Sequence, residues 1–203
     1  MKKTIIRLSI FAFAALIPAC QTIRELKALA KCDFRVKDIG TLDLNGMNLL
    51  KVESFTDLSL ADGAKLFKAY NAGSLPLNIT FNLEVRNNHD KLAALEQLDW
   101  ILEVDKQNMV NGTSNQRFAV APGGGMSVLP LSTALDLRKV LGKESLESVM
   151  KVIAGIKGQN EAETRIRLKI KPRFRIAGAL LGYPGFIKVG KTFEESKVEK
   201  ENK

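Results

Sequence analysis

The sequence predicts a mainly β protein, an antiparallel β-sandwich with two helical insertions. Three observations predict it. Roughly seven or eight short runs alternate apolar and polar residues, the period of a half-buried strand. Only two stretches within the body carry the helical period instead. No internal repeat or second apolar core is visible, and 203 residues with 45% hydrophobic and 26% charged side chains suit one packed domain.

In chain order, residues 21–31 read as a short helix or linker, with Ile23, Leu26 and Leu29 at spacing three. Phe34, Val36, Leu42 and Leu44 alternate with polar residues and are broken by Gly40 and by the turn dipeptide Asn45-Gly46. Residues 49–55 are expected to form another short strand. At residues 59–70 the period changes: Leu60, Ala64 and Phe67 define a helix face, Ser59 is the N-cap, and Asn71-Ala72-Gly73 stops the helix. Residues 75–85 form an alternating strand with Leu77, Ile79, Phe81, Leu83 and Val85 inward, closed by the turn cluster Asn87-Asn88-His89-Asp90. Leu98, Trp100, Leu102 and Val104 mark the inner face of the next strand, with Asp99, Glu103 and Asp105 outward. After a break at Asn111-Gly112, Phe118 and Val120 lead into the loop Ala121-Pro122-Gly123-Gly124-Gly125, and Leu129, Leu131, Thr133, Leu135 and Leu137 share one face of the strand beyond it. Residues 143–157 read as the second helix, through Leu146, Val149, Val152, Ile153 and Ile156. Residues 162–176 are the longest alternating run, and 186–193 a last short strand. The charged tail 194–203 is expected to be disordered.

The N-terminus reads as an address. Lys2, Lys3 and Arg7 precede an apolar run over residues 8–16 and then Ile17-Pro18-Ala19-Cys20, the plan of a secretory signal peptide over residues 1–19. The run is too short to span a bilayer, and no later stretch is long and apolar enough to do so. Ile17-Pro18-Ala19-Cys20 resembles the bacterial lipobox, which implies cleavage between Ala19 and Cys20 and a diacylglycerol, then a further acyl chain, on Cys20. Residues 20–32 would then be a lipidated linker or short helix. Ordinary secretion with Cys20 as a plain thiol is the alternative, and it opens a Cys20–Cys32 disulfide. One acyl chain binds a bilayer reversibly while two or three hardly leave, because each buried CH₂ contributes about 0.8 kcal/mol. Gln21, a residue other than Asp after the cysteine, points in resembling Gram-negative lipoproteins to the outer membrane. Without the signal the chain keeps 28 basic against 22 acidic side chains, a formal +6. For an exported protein the counterpart of that charge is an anionic lipid or other envelope component rather than nucleic acid.

A family resemblance enters at residues 75–137. The run Leu77-Asn78-Ile79-Thr80-Phe81-Asn82-Leu83-Glu84-Val85-Arg86-Asn87-Asn88-His89 resembles the late embryogenesis abundant type 2 proteins, also called LEA14-like or WHy-domain proteins. In that family an alternating strand ends in an Asn-Pro-Asn-like turn, where this chain has Asn88 in place of the proline. A second strand with a central aromatic is similar to residues 98–104, a hydrophobe-x-Gly step is similar to Val110-Asn111-Gly112, and a Pro-Ala-Gly-Gly sort of loop is similar to residues 121–125. The resemblance implies an immunoglobulin-like sandwich over residues 33–193 with no catalytic site. It also implies links to stress and desiccation and, in some relatives, proposed lipid carriage. A carrier would hold its lipid or other hydrophobic ligand between the two sheets.

The candidate chemistry is sparse. Arg165, Arg167, Lys169, Lys171, Arg173 and Arg175 fall on one parity of a strand and would line roughly 33 Å of one face. That stripe could lie on lipid phosphates, or could meet Asp99, Glu103, Asp105 and Glu84 on neighbouring strands. Pro172 adds a third reading, a guarded edge strand. A single histidine, His89, cannot build a site that needs two, and a triad would need that imidazole buried and oriented. Gly123-Gly124-Gly125 lacks the Lys-Ser/Thr and the helix of a phosphate loop. No catalytic residue, metal ligand or cofactor is therefore expected beyond the lipid on Cys20.

Overall fold

The structure is a computed structural model that describes residues 17–52, 57–104, 107–142, 144–157, 166–176, 178–193 and 197–199. A helix, α1 (Ile17–Leu29), leads into the twelve-residue strand β1 (Asp33–Leu44). Asn45 and Gly46 have φ of 51° and 80°. Two successive positive values are what a tight type I′ hairpin turn requires, and the chain folds back as β2 (Met47–Asn48). Then come α2 (Leu60–Asn71), β3 (Pro76–Asn87), β4 (Ala93–Leu95), β5 (Gln97–Val104), β6 (Gln107–Ser114), β7 (Phe118–Val120) and β8 (Gly125–Asp136). The last part comprises α3 (Leu137–Leu141), α4 (Leu146–Lys157), β9 (Ile166–Ile176), β10 (Ala179–Gly182), β11 (Phe186–Val189) and β12 (Lys197–Glu199).

The strands form two main antiparallel sheets, the mainly β sandwich with helical insertions that the alternation predicts. One runs β2-β1-β3-β8, the other β12-β11-β9-β5-β6 with β10 also on β9, and β4 pairs with β7 in a small third sheet. Because side chains alternate across a pleated strand, period-two apolar residues become a buried face. Leu77, Ile79, Phe81, Leu83 and Val85 of β3 are buried, as are Leu98, Trp100, Leu102 and Val104 of β5. With Phe34, Leu42, Leu129, Leu131, Leu168, Ile170, Ile187 and Val189 they join one contiguous core. At one corner the sheets meet, where the Val36 N–H donates to Gly190 O at 2.9 Å.

Several expectations are corrected. Of the strand expected over residues 49–55, only Leu49 continues the pairing of the preceding Met47–Asn48 with β1, its N–H donating to Leu42 O at 2.8 Å; the Val52 N–H then closes a turn onto Leu49 O at 3.2 Å, and 53–56 lie outside the described residues. Ser59 does cap α2, its hydroxyl accepting from the Asp62 N–H at 3.1 Å. The buried face of α2 is a different one, however: Leu60 is 93% and Phe67 59% exposed, while Leu66 is fully buried. The reason is the anchoring of the other side, where the Tyr70 hydroxyl donates to Glu144 O at 2.6 Å and the Arg138 guanidinium stacks 4.3 Å from the Tyr70 ring. Asn111-Gly112 is not a break but lies within β6. Strand β9 is no edge, having β5 on one side and β11 then β10 on the other. Its Pro172 is tolerated because the missing N–H falls at the seam between those two partners, where Pro172 O accepts from the Tyr183 N–H at 2.9 Å. Within the charged tail, Lys197–Glu199 pair with Phe186–Lys188 as β12.

Candidate cationic face and lipid-attachment region

The long alternation of β9 puts Arg167, Lys169, Lys171, Arg173 and Arg175 on one parity of the strand; Arg165 lies outside the described residues. Antiparallel register brings acids of β5 opposite them, Glu103 facing Arg167 and Asp99 facing Lys171. The ion pairs form diagonally. Lys169 Nζ lies 2.7 Å from Glu103 Oε1, whose side chain is thereby tolerated at 8% exposure, and the Arg173 Nε donates to Asp99 Oδ2. Lys171 Nζ sits 5.2 Å from the Phe186 ring centroid, and Arg175 donates to Gly178 O at 3.1 Å. The stripe is thus a partly compensated surface with cations stitched to the next strand. A shallow depression of about 480 Å³ opens beside it, lined by Gln97, Asp99, Ile101, Thr113, Arg173 and Phe186 among others. Glu84 is not one of the stripe's partners. It lies in the other sheet, where Arg35 approaches it to 2.6 Å and Lys37 to 3.9 Å. Asp105 lies outside the described residues.

The N-terminal side is built differently. Residues 1–16 lie outside the described part, and Ala19 and Cys20 fall within the first turns of α1. The helix is seated by Ala28 and Leu29 in the core and by Glu25, which pairs with Arg117 at 3.5 Å; Arg117 in turn holds Glu96 at 2.9 Å. Cys32 is a free, buried thiol whose Sγ donates to Ala28 O at 3.4 Å. Burial, helped by the neighbouring Asp33 carboxylate, pushes it up to about 12. The opposite side of α1 exposes Arg24 and Lys27, followed by exposed Lys31.

The turn after β3 is a structural knot. Asn87 is fully buried; its amide donates to Lys91 O at 2.8 Å and Val120 O at 3.1 Å, and its side-chain oxygen accepts from the His89 N–H at 3.1 Å. The Gly123 and Gly124 N–H groups donate to His89 O and Asn87 O, each at 2.7 Å. With φ of 73° and 88°, these two glycines adopt a conformation other residues resist. His89 Nε2 lies 3.1 Å from Lys31 O, so the imidazole ties this turn to the end of α1. A second hub is Asp136. Burial works against its charge, but hydrogen bonds from the Leu75 N–H, the Ser74 hydroxyl and the Arg138 and Lys139 N–H groups outweigh it and hold its carboxyl below the usual range. Among the described residues, no three His, Cys, Asp or Glu side chains converge as metal ligands. None of the described helices is long and apolar enough to cross a membrane.

No protein-family model and no curated protein matches the chain. Among solved structures it is similar to a protein from Archaeoglobus fulgidus, with 18% identity, 63% of this chain and 88% of that chain covered, and a TM-score of 0.34. It is also similar to the solution structure of a candidate late embryogenesis abundant (LEA) protein, with 13% identity, 94% and 91% covered, and a TM-score of 0.33. The fold assignment stands on the strand pairing described above.

Proposed function

We propose that this chain is a lipid-anchored bacterial envelope protein whose LEA type 2-like sandwich serves as a non-catalytic binding or stress-protective module, most naturally at the outer membrane. The observation that carries the non-catalytic half is the employment of the residues behind the family resemblance. Asn87, Gly123 and Gly124 close one knot of backbone hydrogen bonds. Gly112 lies against the Trp100 indole. Each of these residues is engaged in building the fold.

The anchoring half is supported by the lipobox-like Ile17-Pro18-Ala19-Cys20 and by where it leads. The buried Leu29 stands nine positions after Cys20, about 14 Å along the helix. A diacylglycerol there would hold the sandwich close against a bilayer. The contiguous core between the sheets favours this reading over a carrier with a chamber in that space. The test is fractionation of palmitate-labelled cells. The full chain is expected in the membrane fraction carrying label, and Cys20→Ala in the soluble fraction without it; an unlabelled, soluble full chain would overturn the proposal.

A further inference from the structure

The side of α1 turned away from the core carries an unbalanced charge. At about 100° per residue, positions 20, 24 and 27 fall on one stripe of α1, with Ile23 beside it; Lys31 follows in the turn just beyond the helix end. Arg24 and Lys27 are exposed on that stripe and Lys31 is exposed just past it, and none of the three forms an ion pair among the described residues. The only acid of the helix, Glu25, is turned inward to Arg117. Ile23 is 37% exposed next to this row. The inward side, with Ala28 and Leu29, is occupied by the core. The structure therefore sorts the charges of α1, basic outward and acidic inward, along the register that also contains Cys20.

We infer that α1 lies flat on an anionic lipid surface, with Arg24, Lys27 and Lys31 against the headgroup phosphates and Ile23 in the interface. This deepens the anchoring reading above and rests on it. Acyl chains on Cys20 pin one end of the stripe to the bilayer, and the three cations lay the rest of it down. Because Glu25, Ala28 and Leu29 fix α1 to the sandwich, a helix lying flat fixes the orientation of the whole domain. The contrast with β9 favours α1 as the lipid-facing element. Lys169 and Arg173 are already engaged by Glu103 and Asp99 on their own sheet. The α1 cations have no such protein partner among the described residues. Juxtamembrane Lys and Arg are each worth roughly a five-fold preference for an anionic surface, so three of them favour the flat arrangement by on the order of 100-fold.

The test uses the mature full-length lipoprotein on vesicles of phosphatidylcholine, and on vesicles of equal parts phosphatidylcholine and phosphatidylglycerol. Lysines are acetylated sparingly with a membrane-impermeant reagent and read by peptide mass spectrometry. On the anionic vesicles, Lys27 and Lys31 are expected to label at least about five times more slowly than on neutral ones, while exposed Lys68 and Lys139 are unchanged. In the double variant R24Q/K27Q the protection of Lys31 is expected to fall. Flotation with the neutral vesicles separates the two claims. A protein that floats but labels equally on both vesicle types overturns the flat helix alone. A protein that does not float with neutral vesicles overturns the anchor, and the inference with it.

Discussion

Gly112 stands where the Trp100 indole leaves no room for a side chain, since a Cβ built there would fall 2.0 Å from Trp100 Cζ2. The two residues are direct partners across β5 and β6, and the tryptophan is 2% exposed. Neither the strand nor the ring can give way cheaply, so Gly112→Ala is expected to cost about 2 kcal/mol or more in urea unfolding. A change within 0.5 kcal/mol would show that the indole is free to move. Cys32 gives a second residue-scale prediction. Its folded pKa is raised to about 12 from an ordinary value of 9.0, so the native protein favours the thiol while the unfolded chain favours the thiolate above pH 9. The contribution of Cys32 to stability is thus complete below pH 9 and lost as pH rises toward 12. Native protein at pH 8 is expected to resist iodoacetamide at Cys32 and to react on unfolding. Equal rates in the two states would contradict its burial. Local chemistry marks Asn87-Asn88 as part of a turn cluster and Asn111-Gly112 as a break between strands. Only the cross-strand neighbour reveals that Gly112 clears space for an indole, and only the meeting of three loop segments reveals Asn87 as a knot.

At the scale of elements, period-two patterns were readable and period-3.6 patterns were less so. Alternation in β3, β5 and β9 places whole faces in the core, and one register satisfies all of them. Helix α2 shows the weakness of the same method, because two apolar stripes are available to it. Leu60, Ala64 and Phe67 form the more apolar row, yet Tyr70 and Arg138 tie down the side that holds Leu66. Leu66→Ala is therefore expected to destabilise the protein by about 2–5 kcal/mol and Phe67→Ser by no more than about 0.5 kcal/mol, measured by thermal or urea unfolding. The reverse order would restore the face that the sequence suggests. Pairing partners distant in sequence were beyond reach of local pattern. The β9 seam that accommodates Pro172, and the three residues of the charged tail that join β11, depend on such partners. The basic row of α1 was visible in principle as Arg24, Lys27 and Lys31 at helical spacing after Cys20. It acquires meaning only once Glu25 is seen to turn inward.

For the molecule as a whole, the sandwich core and the N-terminal address carry separate information. The core specifies two sheets joined by one contiguous apolar cluster. The address, read from residues 1–20, specifies where those sheets would reside. Helix α1 is the physical link between the two, because its inward residues belong to the core while its first turns contain the residue expected to take the lipid. A rigid link converts attachment at one atom into an orientation for the entire domain, which a flexible linker cannot do. The most direct measurement is the mass of the N-terminal peptide from protein isolated out of the native membranes. The account predicts a peptide beginning at Cys20 and heavier by a thioether-linked diacylglycerol with an additional acyl chain. A peptide that begins upstream of Cys20, or that begins there with an unmodified thiol, would contradict it.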